Sequence, residues 1–338
     1  MTEREGHGPL HVVVTGVRSQ THLVYVASYL RVELAARTTP VTVAYVGGGT
    51  FLGRASVTED VVLRLLPEDD RLRVTFADGA SRWELPEDAE AVYVAVGAPG
   101  IKPWAQLRAA NPRKRIRVVV TDEGIGTYGD WRTRREAWAR QGVPEPWRSV
   151  RTAAVTAGAR TLTTRRWPTY VADQGRWTVV DEVAAEFHRH TTGVDPTSDS
   201  RTVVLATQPW ADLGLLDEDT YLEHVGQLVT AVDRAGGRLV VRPHPAESRE
   251  RYAGLEVMSG SGPAELDPDV VRAAAVIGGG STAVLNLAAV FGLQAVRVTP
   301  PGLEHLDRAL GDDQRALLET FTGPVTPADR VHERLRLR

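Results

Sequence analysis

The chain has 338 residues and no cysteine, which excludes a disulfide framework, a thiol nucleophile and any cysteine-based metal site. A 42% hydrophobic and 25% charged composition is that of a soluble globular protein, and the length suits two domains better than one core. The formal net charge of -3 offers polyanions no general attraction, so nucleic acid is not an expected partner.

Met1 to Gly8 lacks the basic-then-apolar layout of a secretory signal, and no apolar run approaches the ~18 residues that span a bilayer. The expectation is a cytoplasmic protein with no integral membrane segment. Its basic residues are almost all arginine, with Lys102 and Lys114 the two lysines.

Leu10 to Gly16 reads as a first buried strand, followed by Ser19, Gln20 and His22 and a helical pattern to about Ala36. Val41 to Val46 is a second strand ending in Gly47, Gly48 and Gly49. Residues 61–66 and 72–76 are short apolar runs of ambiguous type. Ala91 to Val96 is another strand, Trp104 to Ala109 a short helix, and Ile116 to Thr121 a strand that runs into Asp122-Glu123-Gly124. Trp131 to Arg140 is a basic amphipathic helix, Thr152 to Tyr170 an irregular connection, and Val179 to His190 a helix.

The polar, Gly- and Pro-punctuated stretch 191–200 is the expected linker between a first domain over 1–190 and a second over 201–338. There the alternation restarts. Thr202 to Thr207 is a strand closing on Gln208-Pro209, Thr220 to Ala235 a helix, and Arg238 to Val241 a strand running into Arg242-Pro243-His244-Pro245. Val270 to Ala274 is a short helix and Ala275 to Ile277 a strand. Gly278-Gly279-Gly280-Ser281-Thr282 then opens the helix Ala283 to Phe291, and Gln294 to Val298 is a last strand. Two such alternations predict an α/β protein of two facing Rossmann-like domains with a central cleft.

Three strand ends carry chemistry. Asp122 and Glu123 stand where a buried strand stops, and Gly124 lets the chain turn there. They read either as a solvated turn or as a carboxylate base at a crevice. His244 is held between two prolines that restrict its backbone, beside Arg242. It is either a structural histidine or a phosphate grip. The glycines before Ser281 and Thr282 leave helix-start amides open to an anion, though a plain Ser/Thr cap fits equally. The lysine of a Walker loop is absent, and no GxGxxG follows a strand.

Taken in order, Asp122-Glu123-Gly124, His244-Pro245 and Ser281-Thr282 resemble the acidic-acidic-Gly, His-Pro and paired Ser/Thr motifs of the bacterial sialyltransferase and polysialyltransferase-like glycosyltransferases of GT-B fold. Tyr128 and Gln208-Pro209 are also similar to that group. Thr282 at the second position of the Ser pair, and the short chain, depart from it.

The resemblance implies inverting, metal-independent transfer of sialic acid or a related nonulosonic acid from a CMP-activated donor to a sugar hydroxyl, with no further cofactor. Glu123, with Asp122 next, would take the acceptor proton. His244 would stabilise the leaving phosphate. Arg242, Pro245, Gly279, Gly280, Ser281, Thr282 and Gln208 would hold the donor. Ser19, Gln20, His22, Gly124 and Tyr128 are the expected sugar-side residues.

Two alternatives stand. A CDP-alcohol phosphotransferase of teichoic-acid polymerase type would need a second catalytic histidine in the first half, where His11 and His22 are available. A noncatalytic nucleotide-sugar binder would be indifferent to Asp122 and Glu123.

Overall fold

The computed structural model describes residues 8–47, 57–77, 83–140, 142–192, 201–260 and 262–337. The chain packs as two compact units. One comprises Met1–Thr127, Arg134–Val171 and Val180–Glu186; the other comprises Tyr128–Thr133, Ala172–Val179 and Phe187–Arg338. Of the expected linker, residues 193–200 lie outside the described residues, as do Gly48 and Gly49.

The first unit is built on β1 (Leu10–Thr15), α1 (Gln20–Ala36), β2 (Val41–Val46), α2 (Glu59–Leu65), β3 (Leu72–Ala77), β4 (Glu90–Val96), α3 (Ile101–Ala110) and β5 (Ile116–Thr121). After α4 (Trp131–Arg140) and α5 (Trp147–Leu162), β6 (Arg165–Trp167) completes a six-stranded sheet of order β3-β2-β1-β4-β5-β6. Every pairing in it is parallel. That is the doubly wound order, whose direction of winding reverses between β1 and β4.

β1, β4 and β5 are nearly continuous Val/Ala/Tyr runs because both sheet faces are covered. Val12, Val13, Tyr93, Val94 and Val118 are at most 1% exposed, and each such side chain contributes about 1.5–3 kcal/mol of burial.

A short ribbon of β7 (Tyr170–Asp173) and β8 (Arg176–Val179) turns through Gln174 and Gly175, both at positive φ. α6 (Asp181–His190) follows. Its fully buried Glu186 accepts from both Nε and Nη2 of Arg31 on α1, at 2.6 and 2.9 Å.

The second unit carries β9 (Thr202–Ala206), α7 (Glu218–Arg234), β10 (Arg238–Arg242), α8 (Pro268–Val271), β11 (Ala275–Gly278), α9 (Thr282–Phe291) and β12 (Gln294–Arg297). These strands form a second all-parallel sheet, β10-β9-β11-β12, with its reversal between β9 and β11. Asp267 caps α8 by accepting from Asp269 N, as its place before a Pro-started helix suggests.

Several expectations are corrected. Residues 61–66 lie largely in α2 and residues 72–76 in β3, and the helix expected at Trp104 begins at Ile101. The stretch Thr152 to Tyr170, expected to be irregular, instead holds most of α5 and all of β6. α5 fully buries only Thr152 among its 16 residues, with Val155, Ala159 and Leu162 half-buried beside it, and exposed apolar residues on its other side blur the one-sided pattern by which a helix is read from sequence. Beyond Val298 the chain forms α10 (Glu304–Arg308), α11 (Asp312–Thr322) and α12 (Val331–Arg334), which the sequence reading left unassigned. No helix among the described residues is long and apolar enough to cross a membrane.

One core residue of the second unit sits poorly. His224 on α7 is 3% exposed, beside Leu205, Trp210 and Gly278, and neither ring nitrogen has a hydrogen-bond partner among the described residues. Burial pushes its pKa down from 6.5 to about 4. Between those values the unfolded chain binds a proton that the folded one refuses, so stability is lost as pH falls from about 6.5 to about 4. By pH 5 the loss from this one group is about 2 kcal/mol. His224→Leu should therefore flatten the fall in urea-unfolding free energy between pH 7.5 and 5, with no loss of stability at pH 7.5. An unchanged pH slope would contradict the assignment.

Candidate active site

In the first unit the acidic motif follows β5, two strands from the reversal point between β1 and β4. Successive residues leaving a strand point to opposite sides, and here the two carboxylates part company. Asp122 turns inward and is 0% exposed. Its Oδ2 accepts from Thr169 N at 2.7 Å, and Arg166 Nη2 lies 3.6 Å from Oδ1. Glu123 turns outward and is exposed.

The loop bearing Glu123 is fixed from several sides. Glu123 N donates to Thr127 Oγ1 at 2.9 Å, and Gly124 makes the turn at φ +114°. From α1, His22 reaches the Glu123 carbonyl oxygen at 3.1 Å, while its Nδ1 accepts from Arg18 N at 3.1 Å. Nδ1 is thus the acceptor, so Nε2 carries the proton and donates. Burial lowers the His22 pKa to about 4, which keeps the ring neutral in that arrangement.

The Glu123 side chain lies against Gly97, at the end of β4, and against Gly126. A Cβ at Gly97 would come within 2.6 Å of Glu123 Oε2, and one at Gly126 within 3.2 Å of Oε1. Protein crowded around the carboxyl desolvates it and raises its pKa. Arg18 and Arg134 oppose that rise, and Asp122 adds to it.

The other expected residues of this half take different places. Ser19 caps α1, accepting from His22 N at 3.3 Å, and Gln20 is the first residue of that helix. His22 is a buried strut under the loop. His11 lies near the amino-terminal start of β1, at the end of the strand remote from the motif. Tyr128, which belongs to the second unit, sets its ring edge-on against Trp177 of β8 at 5.4 Å. Arg18, Arg134 and Gly97 were missed. For Gly97 a signal existed, since a lone glycine closing the apolar run 91–96 marks a strand end that turns sharply.

In the second unit the His-Pro and Ser/Thr motifs follow β10 and β11, which flank β9. His244 is half-buried, and its Nδ1 accepts from Ala246 N at 3.2 Å, so its proton too sits on Nε2. Burial lowers its pKa and nearby Asp212 partly restores it.

Beneath the loop lies Glu247, which the sequence reading missed. Its Oε2 accepts from His244 N at 2.8 Å and from the Thr207 hydroxyl, and its Oε1 accepts from Tyr252 Oη at 2.9 Å. Arg242 was expected at the phosphate. It is 4% exposed, donates to the carbonyls of Gly260 and Gly262, and lies 3.3 Å from Asp267. Its guanidinium therefore holds Gly260 and Gly262. Pro245 is exposed next to His244.

Ser281 is the N-cap of α9, accepting from Val284 N at 3.2 Å, and Thr282 is the first helical residue. Gly279 is tightly enclosed. A Cβ there would meet the Trp210 ring at 3.0 Å and collide with Gln208 Oε1, which places Gln208 directly over the glycine loop. Each unit thus gathers its motif residues at the carboxyl ends of its own sheet.

The contact at Gly97 yields a stability test. Gly97 has φ +76°, so Gly97→Ala strains the backbone and drives a methyl into the Glu123 carboxylate. Denaturant unfolding should show a loss of about 1–3 kcal/mol. A change below the error of the measurement would contradict both the backbone strain and the crowding at this glycine.

No family model matches the chain, and no curated protein does. Among solved structures, the α/β-galactoside α-2,3-sialyltransferase of Photobacterium phosphoreum is 10% identical, with 96% of this chain and 99% of that one covered at a TM-score of 0.45. The GT-B domain of a sialyltransferase from Photobacterium damselae is 12% identical, with 94% and 98% covered at 0.43. The E. coli heptosyltransferase WaaC with ADP is 12% identical, with 94% and 92% covered at 0.41.

Proposed function

We propose that the protein is an inverting, metal-independent glycosyltransferase of the GT-B kind, which moves sialic acid or a related nonulosonic acid from a CMP-activated donor to a sugar hydroxyl. The observation that carries this reading is the split of the acidic pair. Asp122 is consumed in holding Thr169, while Glu123 turns outward with a partly desolvated carboxyl of raised pKa on a loop braced by His22 and Thr127.

In the proposed step the acceptor hydroxyl proton passes to Glu123 as the acceptor oxygen bonds the anomeric carbon. The bond from that carbon to the phosphate oxygen breaks, and its electron pair leaves with CMP. With its pKa lowered and Nδ1 engaged by Ala246 N, His244 serves as a neutral donor through Nε2 to the departing phosphate. The amides opening α9, with Ser281 and Thr282, take the remaining phosphate charge in place of a metal. The phosphotransferase alternative loses its second histidine, because both ring nitrogens of His22 are committed and His11 lies at the far end of β1.

Two measurements test the reading. Glu123→Gln should cut turnover of a CMP-nonulosonic acid ~100-fold or more while leaving CMP affinity unchanged. Because the base must be ionised and its pKa is raised, kcat/KM of the unaltered enzyme should fall with decreasing pH through a limb above the ordinary carboxylate range. Unaltered turnover in the variant would remove Glu123 from the mechanism.

The donor side is tested separately by calorimetry with CMP, CDP and UDP. The Ser281→Ala/Thr282→Ala double variant should bind CMP ~10-fold or more weakly, the scale of losing one or two charge-assisted hydrogen bonds. Equal affinity in the variant, or a preference for UDP, would overturn the donor assignment.

A further inference from the structure

We propose that the outward face of α5 is a docking surface for an anionic lipid bilayer. At 3.6 residues per turn, Trp147, Val150, Ala154 and Ala157 share one face of this helix, and all four are exposed. Trp147 is 60% and Val150 51% exposed. Arg151 and Arg160 flank the apolar strip on either side and are exposed as well. The helix thus carries a second apolar strip that faces away from the protein, while on its other side Thr152 is buried and Val155, Ala159 and Leu162 are half-buried.

An outward strip of this kind is costly for a surface that meets only water, and its chemistry specifies the phase that would cover it. A tryptophan at the helix start with small apolar residues behind it suits the headgroup–acyl boundary, where an indole places its ring in the apolar layer and its N–H in the wet one. The flanking charge suits anionic headgroups. Residues 131–166 hold nine arginines against two glutamates, although the whole chain is net -3.

Charge complementarity also separates the bilayer from other occupants. A second copy docking by the same face would set arginine flank against arginine flank. A polyanionic chain would neutralise the arginines but offer no apolar layer to Val150, Ala154 and Ala157. The docking surface is independent of the proposed chemistry, since Glu123 and His244 take no part in it.

The test is vesicle flotation of the full chain with phosphatidylglycerol/phosphatidylcholine vesicles against phosphatidylcholine alone. Partition onto the anionic vesicles should be at least 10-fold greater and should fall as salt is raised. The Trp147→Ser/Val150→Ser variant should lower it at least 10-fold, and Arg160→Gln should lower it by several-fold, with thermal unfolding unchanged in both. Should the double variant fail to fold, Ala154→Glu carries the same test, because it sets a carboxylate in the centre of the strip and should abolish flotation. Equal partition onto neutral vesicles, or variants that float as well as the unaltered chain, would overturn the proposal. So would a dimer in solution that the same variants dissociate.

Discussion

A parallel strand covered on both faces tolerates charge along its length only where it is paired, as Arg117 of β5 is with Glu33 and Glu90, so most of the polar chemistry of this chain collects where its strands stop. At the end of β5 this constraint meets a second one, the alternation of side-chain direction, and a pair of adjacent carboxylates is sorted by geometry. The inward Asp122 is buried and accepts from the Thr169 amide, which ties the end of β5 to the start of the ribbon after β6. The outward Glu123 inherits a loop that can no longer slide, because its carbonyl oxygen is held by His22 and its amide by Thr127. A buried acid is here the foundation of an exposed one.

The second unit solves the same problem with different parts. Prolines restrict the backbone around His244, and Glu247 clamps it from below through the His244 amide, the Thr207 hydroxyl and the Tyr252 hydroxyl. Arg251 reinforces the clamp, with its guanidinium 2.6 Å from Asp212 and 3.4 Å from Glu247. A carboxylate that accepts from several donors tolerates burial, even though desolvation still raises its pKa. The outcome in both units is a motif side chain that rests on a polar network.

The amino-acid sequence disclosed the strands because their signal is local: β1, β5, β9 and β11 are each a short, mostly apolar run, interrupted only by His11 in β1 and Arg117 in β5, with a polar or glycine stop. It disclosed the three motifs for the same reason, since each motif is such a stop. What it concealed was set by tertiary contact. Residues 147–162 carry apolar positions on both sides of a helix, so their spacing does not tell which side is covered. Arg242 and His22 have the residue types of a phosphate grip and a catalytic group. Their partners, the Gly260 and Gly262 carbonyls for one and the Glu123 carbonyl for the other, are 18 to 101 positions away. Glu247 was invisible because a glutamate two residues after a His-Pro pair has no distinctive spacing.

The close approach of Gln208 to Gly279 links two positions that lie 71 residues apart in sequence and side by side at the ends of β9 and β11. A methyl group at 279 fits only if the glutamine at 208 swings aside and the Trp210 ring gives slightly, and a shorter side chain at 208 removes the first of these demands. The two sites should therefore drift together among relatives of this chain. Glycine at 279 should accompany a long amide at 208, and alanine there should accompany serine or alanine. A selection experiment that randomises both codons at once would recover combinations that neither position tolerates alone.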